Sequence, residues 1–247
     1  MSAHGSSSQS LVVWHDVECG AYQADLALWV ELAKATDDPV LDIGAGTGRV
    51  ALTLAATGCR VVALDREPVL LDALAQRAAD AGLAVECVVA DAADYDIEST
   101  TFGLIIVPMQ TIQLLDSEAR AAFLACAHRA LRAGGLLALA VADTIEAFER
   151  DEVLLPDPDR LERDGWSYES QPLSARRIGD CVRLERLRQA VSPSGERLEE
   201  LDEIDLADIS PAHLRAEGER AGFVPQPSWR VPPTPEHVGS EVVMLRA

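Results

Sequence analysis

From Pro39 to about Val141 the chain alternates between short apolar runs and stretches whose apolar residues recur at helical spacing. "VLDIG" predicts a strand, and "RVALTLAAT" predicts a helix ending at Gly58. "RVVALD" predicts a second strand. "PVLLDALAQRAADAG" follows as a helix with Pro68 in its first turn and Gly82 past its end. "AVECVVAD" and "FGLIIVPM" predict strands three and four. "DSEARAAFLACAHRALRAGG" predicts a helix capped at Asp116 or Ser117 and stopped at Gly134, and "LLALAVAD" predicts strand five. Strands that alternate with helices pair in parallel through right-handed crossovers. A continuous apolar strand such as "LLALAV" fits burial on both faces.

Past Asp143 the pattern changes. "IEAFERDEVLLPDPDRLERDG" is charged and broken by Pro156 and Pro158. "DCVRLERLRQAV", "SPSG" and "ERLEELDEIDLADIS" predict two long strands joined by a turn at Ser192–Gly195. A short helix, "SPAHLRAEGERAG", and two last strands, "FVPQPSWRVPP" and "SEVVMLRA", complete the chain. The fold class expected is therefore α/β: a doubly wound, Rossmann-like, seven-stranded and mostly parallel sheet with an antiparallel β-hairpin insertion near the C-terminal half. The expected organisation is a flexible tail over 1–13 and one domain over 14–247. Within that domain, 14–36 form lid helices, 38–143 the ligand-binding core, 144–210 a covering insertion, and 211–247 the last helix and strands.

Composition narrows the partners. The chain has 247 residues, with 41 acidic against 21 basic residues and a formal charge of −20. Such a surface repels phosphate backbones and anionic membranes, so neither nucleic acid nor a membrane is an expected partner. The five cysteines (Cys19, Cys59, Cys87, Cys126, Cys181) form no C-x-x-C pair and no Cys/His cluster, which fits reduced thiols and no metal. "MSAHGSSSQS" lacks both a charged leader and an apolar core, and no apolar run approaches the ~20 residues that span a bilayer. The expectation is a cytoplasmic protein, monomer or homodimer.

The turn "DIGAGTGR" carries the chemistry. Glycines permit positive φ and leave backbone bare for a ligand. The helix that follows offers unpaired amides and a positive dipole end. A dinucleotide fingerprint has glycines in a G-x-G-x-x-G pattern. Here the glycines are Gly44, Gly46 and Gly48, and Arg49 stands at the third dinucleotide position, where it would crowd helix–strand packing. Asp42 lies inside the strand, able to accept from an ammonium group or a water, and Asp91 closes strand three.

"VLDIGAGTGRVALTLA" resembles the first motif of class I S-adenosylmethionine-dependent methyltransferases of the small-molecule type. "VVALDRE" resembles the second, "VVADAAD" the third, and "FGLIIVPMQTIQLL" the fourth strand and its loop. The resemblance covers about Val40 to Ala142. It implies S-adenosylmethionine as cofactor, S-adenosylhomocysteine as product and a small molecule as methyl acceptor. It places Gly44, Ala45, Gly46, Thr47 and Gly48 against the methionine part and Asp42 near its amino group. Asp65 is placed on the ribose hydroxyls, Arg66 beside the adenine, and Asp91 and Ala92 on the adenine edge. Pro108 and Met109 border the site at the end of strand four.

Acceptor contacts are expected beyond the carboxyl ends of strands four and five. The candidates are Gln110 and Gln113 in "PMQTIQLL", His15 and Tyr22 in "WHDVECGAYQADLALWVELA", and His237 before the last strand. Asp16 is a further lid candidate. Trp166 and Tyr168 either wall an acceptor pocket or anchor the insertion. Where relatives carry a histidine after the glutamine, Leu114 stands here. The acceptor atom is open between oxygen, nitrogen and carbon. A nicotinamide-dependent oxidoreductase and a non-catalytic S-adenosylmethionine-binding protein are the alternatives.

Overall fold

The computed structural model describes residues 7–97, 101–142, 145–149, 155–234 and 237–247. Two helices, α1 (Ser7–Cys19) and α2 (Leu26–Lys34), precede the alternating core. The core runs β1 (Val40–Ile43), α3 (Arg49–Ala56), β2 (Val61–Asp65), α4 (Pro68–Asp80), β3 (Val85–Val89), β4 (Phe102–Val107), α5 (Ser117–Ala130) and β5 (Leu131–Val141). Four strands follow, β6 (Asp159–Arg163), β7 (Trp166–Ile178), β8 (Cys181–Val191) and β9 (Arg197–Ala207). The chain ends with α6 (Pro211–Arg220), β10 (Val224–Val231) and β11 (Ser240–Arg246).

The main sheet has seven strands in the order β10-β11-β5-β4-β1-β2-β3. β1 to β5 pair in parallel, and β11 enters antiparallel to both β5 and β10. Both faces are covered. Leu41, Ile43 and Ile105 pack with Phe123 and Leu124 of α5 on one side. Val40, Ala63 and Ile106 pack with Trp29 of α2, Leu54 of α3 and Leu74 of α4 on the other. All six residues of β4 are buried, as a central strand clad on two faces must be.

Three expectations are corrected. The fifth helix ends at Ala130 rather than Gly134, and the strand after it starts at Leu131. The cause is long-range: Gly134 donates to the Ala247 carbonyl and Ala247 donates back to Gly135, so the last strand draws these residues into its ladder. The predicted hairpin is present as β8 and β9, but it belongs to a separate four-stranded antiparallel sheet, β6-β7-β8-β9. The charged, Pro-broken segment concealed β6, whose Asp159–Arg163 residues pair with Trp166–Ser170. The third concerns the predicted tail, whose 1–6 part lies outside the described residues; helix α1 begins at Ser7, inside that tail. The 143/144 boundary also lies outside the described residues. Among the described residues, no helix is long and apolar enough to cross a membrane.

Insertion and core meet at two joints. Trp14 and Val17 of α1 pack with Ala190, Trp166 and Tyr168, and the Trp14 and Tyr168 rings meet edge-on at 5.6 Å. Trp166 and Tyr168 thus serve as an anchor of the insertion. At the second joint Gln113 is buried, accepting from Ala142 N at 2.9 Å and donating to Ala207 O at 3.1 Å.

Candidate active site

The site forms at the carboxyl edge of the parallel strands, where β1 gives way to the glycine turn. Gly44 N and Ala45 N both donate to Leu64 O, at 2.8 and 3.0 Å, which pins the turn to the end of β2. Gly44 and Gly46 have φ of +68° and +54°. A Cβ on Gly44 would stand 2.4 Å from the Thr111 methyl, and one on Gly46 would stand 2.1 Å from His15 Nε2. Bare backbone is therefore a steric requirement at both positions. Thr111 comes from the loop after β4 and His15 from α1, so the turn is flanked by both elements.

Asp65 ends β2 beside this turn. Its Oδ2 accepts from Gly46 N at 2.8 Å and its Oδ1 from Glu67 N at 3.0 Å. Each oxygen retains a further lone pair, which is the capacity a vicinal diol needs. Asp42 is different. It is 1% exposed and, among the described residues, neither carboxylate oxygen has a hydrogen-bond partner. Burial pushes its carboxyl up to about 7, against the pull of Arg49 and of the Ala51 amide in the first turn of α3. An orphaned acid of this kind is costly unless something cationic or proton-donating comes to it.

Arg49 is largely buried, and its guanidinium grips both oxygens of Asp25, at 2.5 and 2.8 Å, and the Tyr22 carbonyl at 2.9 Å. It lies 5.2 Å from the Tyr22 ring centre. Asp25 also accepts from the indole of fully buried Trp29 at 2.8 Å. This bidentate pair fastens the start of α2 to the start of α3.

Thr47 is buried, its hydroxyl donating to Asp16 at 2.7 Å and lying 3.2 Å from His15 Nδ1. Burial lowers the His15 pKa, although Asp16, Asp65 and Glu18 all pull it the other way. Asp91 sits one residue beyond Ala90, whose amide donates to Asp65 O at 3.1 Å, so it shares the same sheet edge. Its side chain is exposed and caps its own turn by accepting from Ala93 N at 2.7 Å. Ala92 packs partly buried against the core, and Arg66 is exposed with Glu67 at 3.5 Å. Pro108 is buried at the end of β4, and Met109 beyond it holds φ +55°. A non-glycine residue in that region stores about 1–2 kcal/mol of strain, a feature that clusters at ligand sites.

Tyr22 and His237, two of the candidate residues, lie with ring centres 4.8 Å apart. The Tyr22 hydroxyl hydrogen-bonds Ser240, and burial raises its pKa. The two rings line a cavity of about 480 Å³ with Ala21, Gln23, Ala24 and Thr234. A larger cleft of about 750 Å³, lined by Arg60, Leu83 and Val85 among others, opens at the opposite end of β2 and β3 and holds none of the predicted site residues. Gln110 is half-buried and its carbonyl accepts from Gln113 N at 2.8 Å. The Gln113 amide spends both its oxygen and its nitrogen on backbone, which suits a clamp better than contact with an acceptor.

Sequence reasoning missed Asp25, Arg77 and Arg163. Arg77 and Arg163 both reach Asp16, at 2.6 and 2.7 Å, from 61 and 147 residues away, and no local pattern signals such contacts.

This sheet order, with an antiparallel strand beside β5, a glycine turn after β1 and an acid ending β2, is a fold shared with solved methyltransferase structures. Residues 40–135 match the family described as a methyltransferase domain. A cypemycin N-terminal methyltransferase from a Streptomyces species is 36% identical over 129 residues, 51% of this chain and 51% of that protein. The chain thus aligns with about half the length of this curated relative. Among solved structures, an S-adenosylmethionine-dependent methyltransferase from Clostridium acetobutylicum superposes with TM-score 0.72 at 12% identity, covering 96% of this chain and 97% of the other. CalS10, an amino pentose methyltransferase from Micromonospora echinaspora, superposes with TM-score 0.69 at 20% identity, covering 95% and 97%.

Proposed function

We propose that the protein transfers a methyl group from S-adenosylmethionine to an amine nitrogen of a small-molecule acceptor. The observation that carries the cofactor half is the partnerless buried carboxylate of Asp42 beside a turn that tolerates no Cβ. A ligand with an ammonium group and a diol answers the two acids: Asp42 takes the first and Asp65 the second. The cofactor supplies an electrophilic methyl on a sulfonium with a good leaving group, so the protein has to align the acceptor and keep water out. Gly44, Ala45 and Gly46 give backbone to the cofactor, and Pro108, Met109 and Gln110 border it from β4.

The nitrogen assignment draws on relatives whose names specify an N-terminal and an amino pentose acceptor. An amine that arrives neutral needs no base before reaction. In this reading His237, which packs against Tyr22 in the cavity at the carboxyl edge, would take the proton the nitrogen sheds afterwards. The net charge of −20 favours a basic acceptor over nucleic acid. In this reading, residues 14–247 act as one unit, with α1, α2 and the β6–β9 sheet covering the acceptor.

Calorimetric titration with S-adenosylmethionine, using NADH as comparison, tests the cofactor. Binding is expected for the wild type and a loss of about tenfold or more for Asp65→Ala, the scale of hydrogen bonds to a charged group. Equal binding by the variant, or preference for NADH, sinks the proposal. Incubation with a panel of amino sugars and short peptides, read by mass spectrometry for one added methyl, tests the acceptor. Cofactor binding with no methylation across the panel would return the non-catalytic alternative.

A further inference from the structure

We propose that Asp16 is a positioning residue which couples the glycine turn to the insertion sheet through Arg163. The proposal rests on the cofactor reading above only in what the coupling is for.

Asp16 is buried on α1, and its two oxygens accept from three separate elements. Thr47 of the glycine turn donates its hydroxyl at 2.7 Å. Arg77 of α4 donates at 3.0 and 2.6 Å, and the same guanidinium reaches the Thr47 carbonyl at 3.2 Å. Arg163, at the end of β6, donates at 2.7 Å. Burial alone would raise the Asp16 pKa, but Arg77, Thr47 and Arg163 together hold it below the ordinary carboxylate range. Thr47 is thus fixed by hydroxyl and carbonyl alike, one residue after Gly46.

The projection of Arg163 is built into the turn that follows it. Asp164 and Gly165 hold φ of +53° and +77°, a tight reversal between β6 and β7. The rest of α1 binds the insertion independently. Glu18 accepts from Arg188 at 2.7 and 2.9 Å and from Ser170 at 2.9 Å, and Trp14 and Val17 pack on Ala190. Arg163 is therefore not needed to dock the sheet. What it adds is a charged link from the covering sheet to the residue that holds Thr47. Ligand at the turn and the seating of β6–β7 on α1 become one equilibrium, and either biases the other.

Removing Asp16 would strand two guanidinium groups, so the informative variant is Arg163→Gln, which leaves the Asp16–Arg77 pair intact. In the ligand-free protein, amide hydrogen exchange across 44–48 is expected to accelerate in Arg163→Gln and to recover in Arg163→Lys. Arg160→Gln, on the same strand as Arg163, removes an exposed ion pair with Glu169 of β7 and is expected to leave that exchange unchanged. With S-adenosylhomocysteine added, the wild type is expected to gain protection at 44–48 and also at 159–168. Arg163→Gln is expected to lose the second of these and to bind about fivefold more weakly, the low end of usual coupling energies. Unchanged ligand-free exchange at 44–48 in Arg163→Gln overturns the coupling. A wild type that does not bind S-adenosylhomocysteine, with that exchange altered, overturns the cofactor reading instead and leaves the coupling standing.

Discussion

The core sheet and the insertion sheet are stabilised in opposite ways. In the core, β1, β2 and β4 are buried along their whole length, and their order is fixed by which apolar faces can be covered. In the insertion, β9 is exposed over most of its length, and arginines and acids pair across neighbouring strands, as Arg183 does with Asp205. Burial by area is large and indifferent to partner; exposed ion pairs are weak and specific. The core can therefore hold an energetically unfavourable acid in place, while the insertion depends on its few buried joints to α1 and to Gln113.

Asp42 is where this difference is largest. Its carboxyl is raised from 3.8 to about 7 because burial penalises the charge. Between those values the folded state holds a proton that the unfolded state has released, so stability falls as pH rises across that window and levels off above about 7. At about 1.36 kcal/mol per pKa unit the full span is roughly 4 kcal/mol, and structural relaxation should leave about half of it. Urea denaturation of wild type and Asp42→Asn at pH 4 and pH 8 is expected to show the variant gaining on the wild type by about 2 kcal/mol at the higher pH. A pH-independent difference would mean that Asp42 is paired or hydrated. Binding of S-adenosylmethionine below pH 7 should also release a proton, detectable as a dependence of binding heat on the buffer.

Gln113 tests the boundary between the two regions. Its side chain joins Ala142 at the end of β5 to Ala207 at the end of β9. Gln113→Leu keeps the volume but takes the side-chain acceptor from the Ala142 amide and one donor from the Ala207 carbonyl, which keeps the Ile209 amide, at a cost of about 1–2 kcal/mol. Hydrogen exchange should localise the loss to residues near 142 and 207, with the glycine turn unaffected. Faster exchange at 44–48 would show that this joint also feeds the cofactor site.

Legibility followed the same division. Alternation of apolar runs revealed the central strands β1, β2 and β4, because a strand clad on both faces must be apolar throughout. Gly44, Gly46 and Asp65 were readable because a turn and a strand end are local events. The role of Arg49 was not readable: its partner, Asp25, lies 24 residues upstream, and only folding brings the two together. β6 was hidden because a charged edge strand lacks the apolar signal, and α5 was drawn too long because Ala247, at the far end of the chain, claims Gly134 and Gly135. The Asp16 cluster was invisible for the same reason, since its donors span residues 47 to 163.

The smallest effect belongs to Arg183, and a small effect is what the comparison demands. Its guanidinium makes two hydrogen bonds to Asp205, each 2.7 Å, with Glu203 at 3.2 Å. By geometry alone this is a better pair than Arg163 with Asp16. It lies in solvent, however, where high dielectric and side-chain entropy cancel most of the attraction. Arg183→Ala is expected to leave melting temperature, S-adenosylhomocysteine affinity and exchange at 44–48 unchanged, and added salt should make no difference. A drop in melting temperature comparable to that of Gln113→Leu would show that surface ion pairs hold the insertion together, and the contrast drawn between the two sheets would fail.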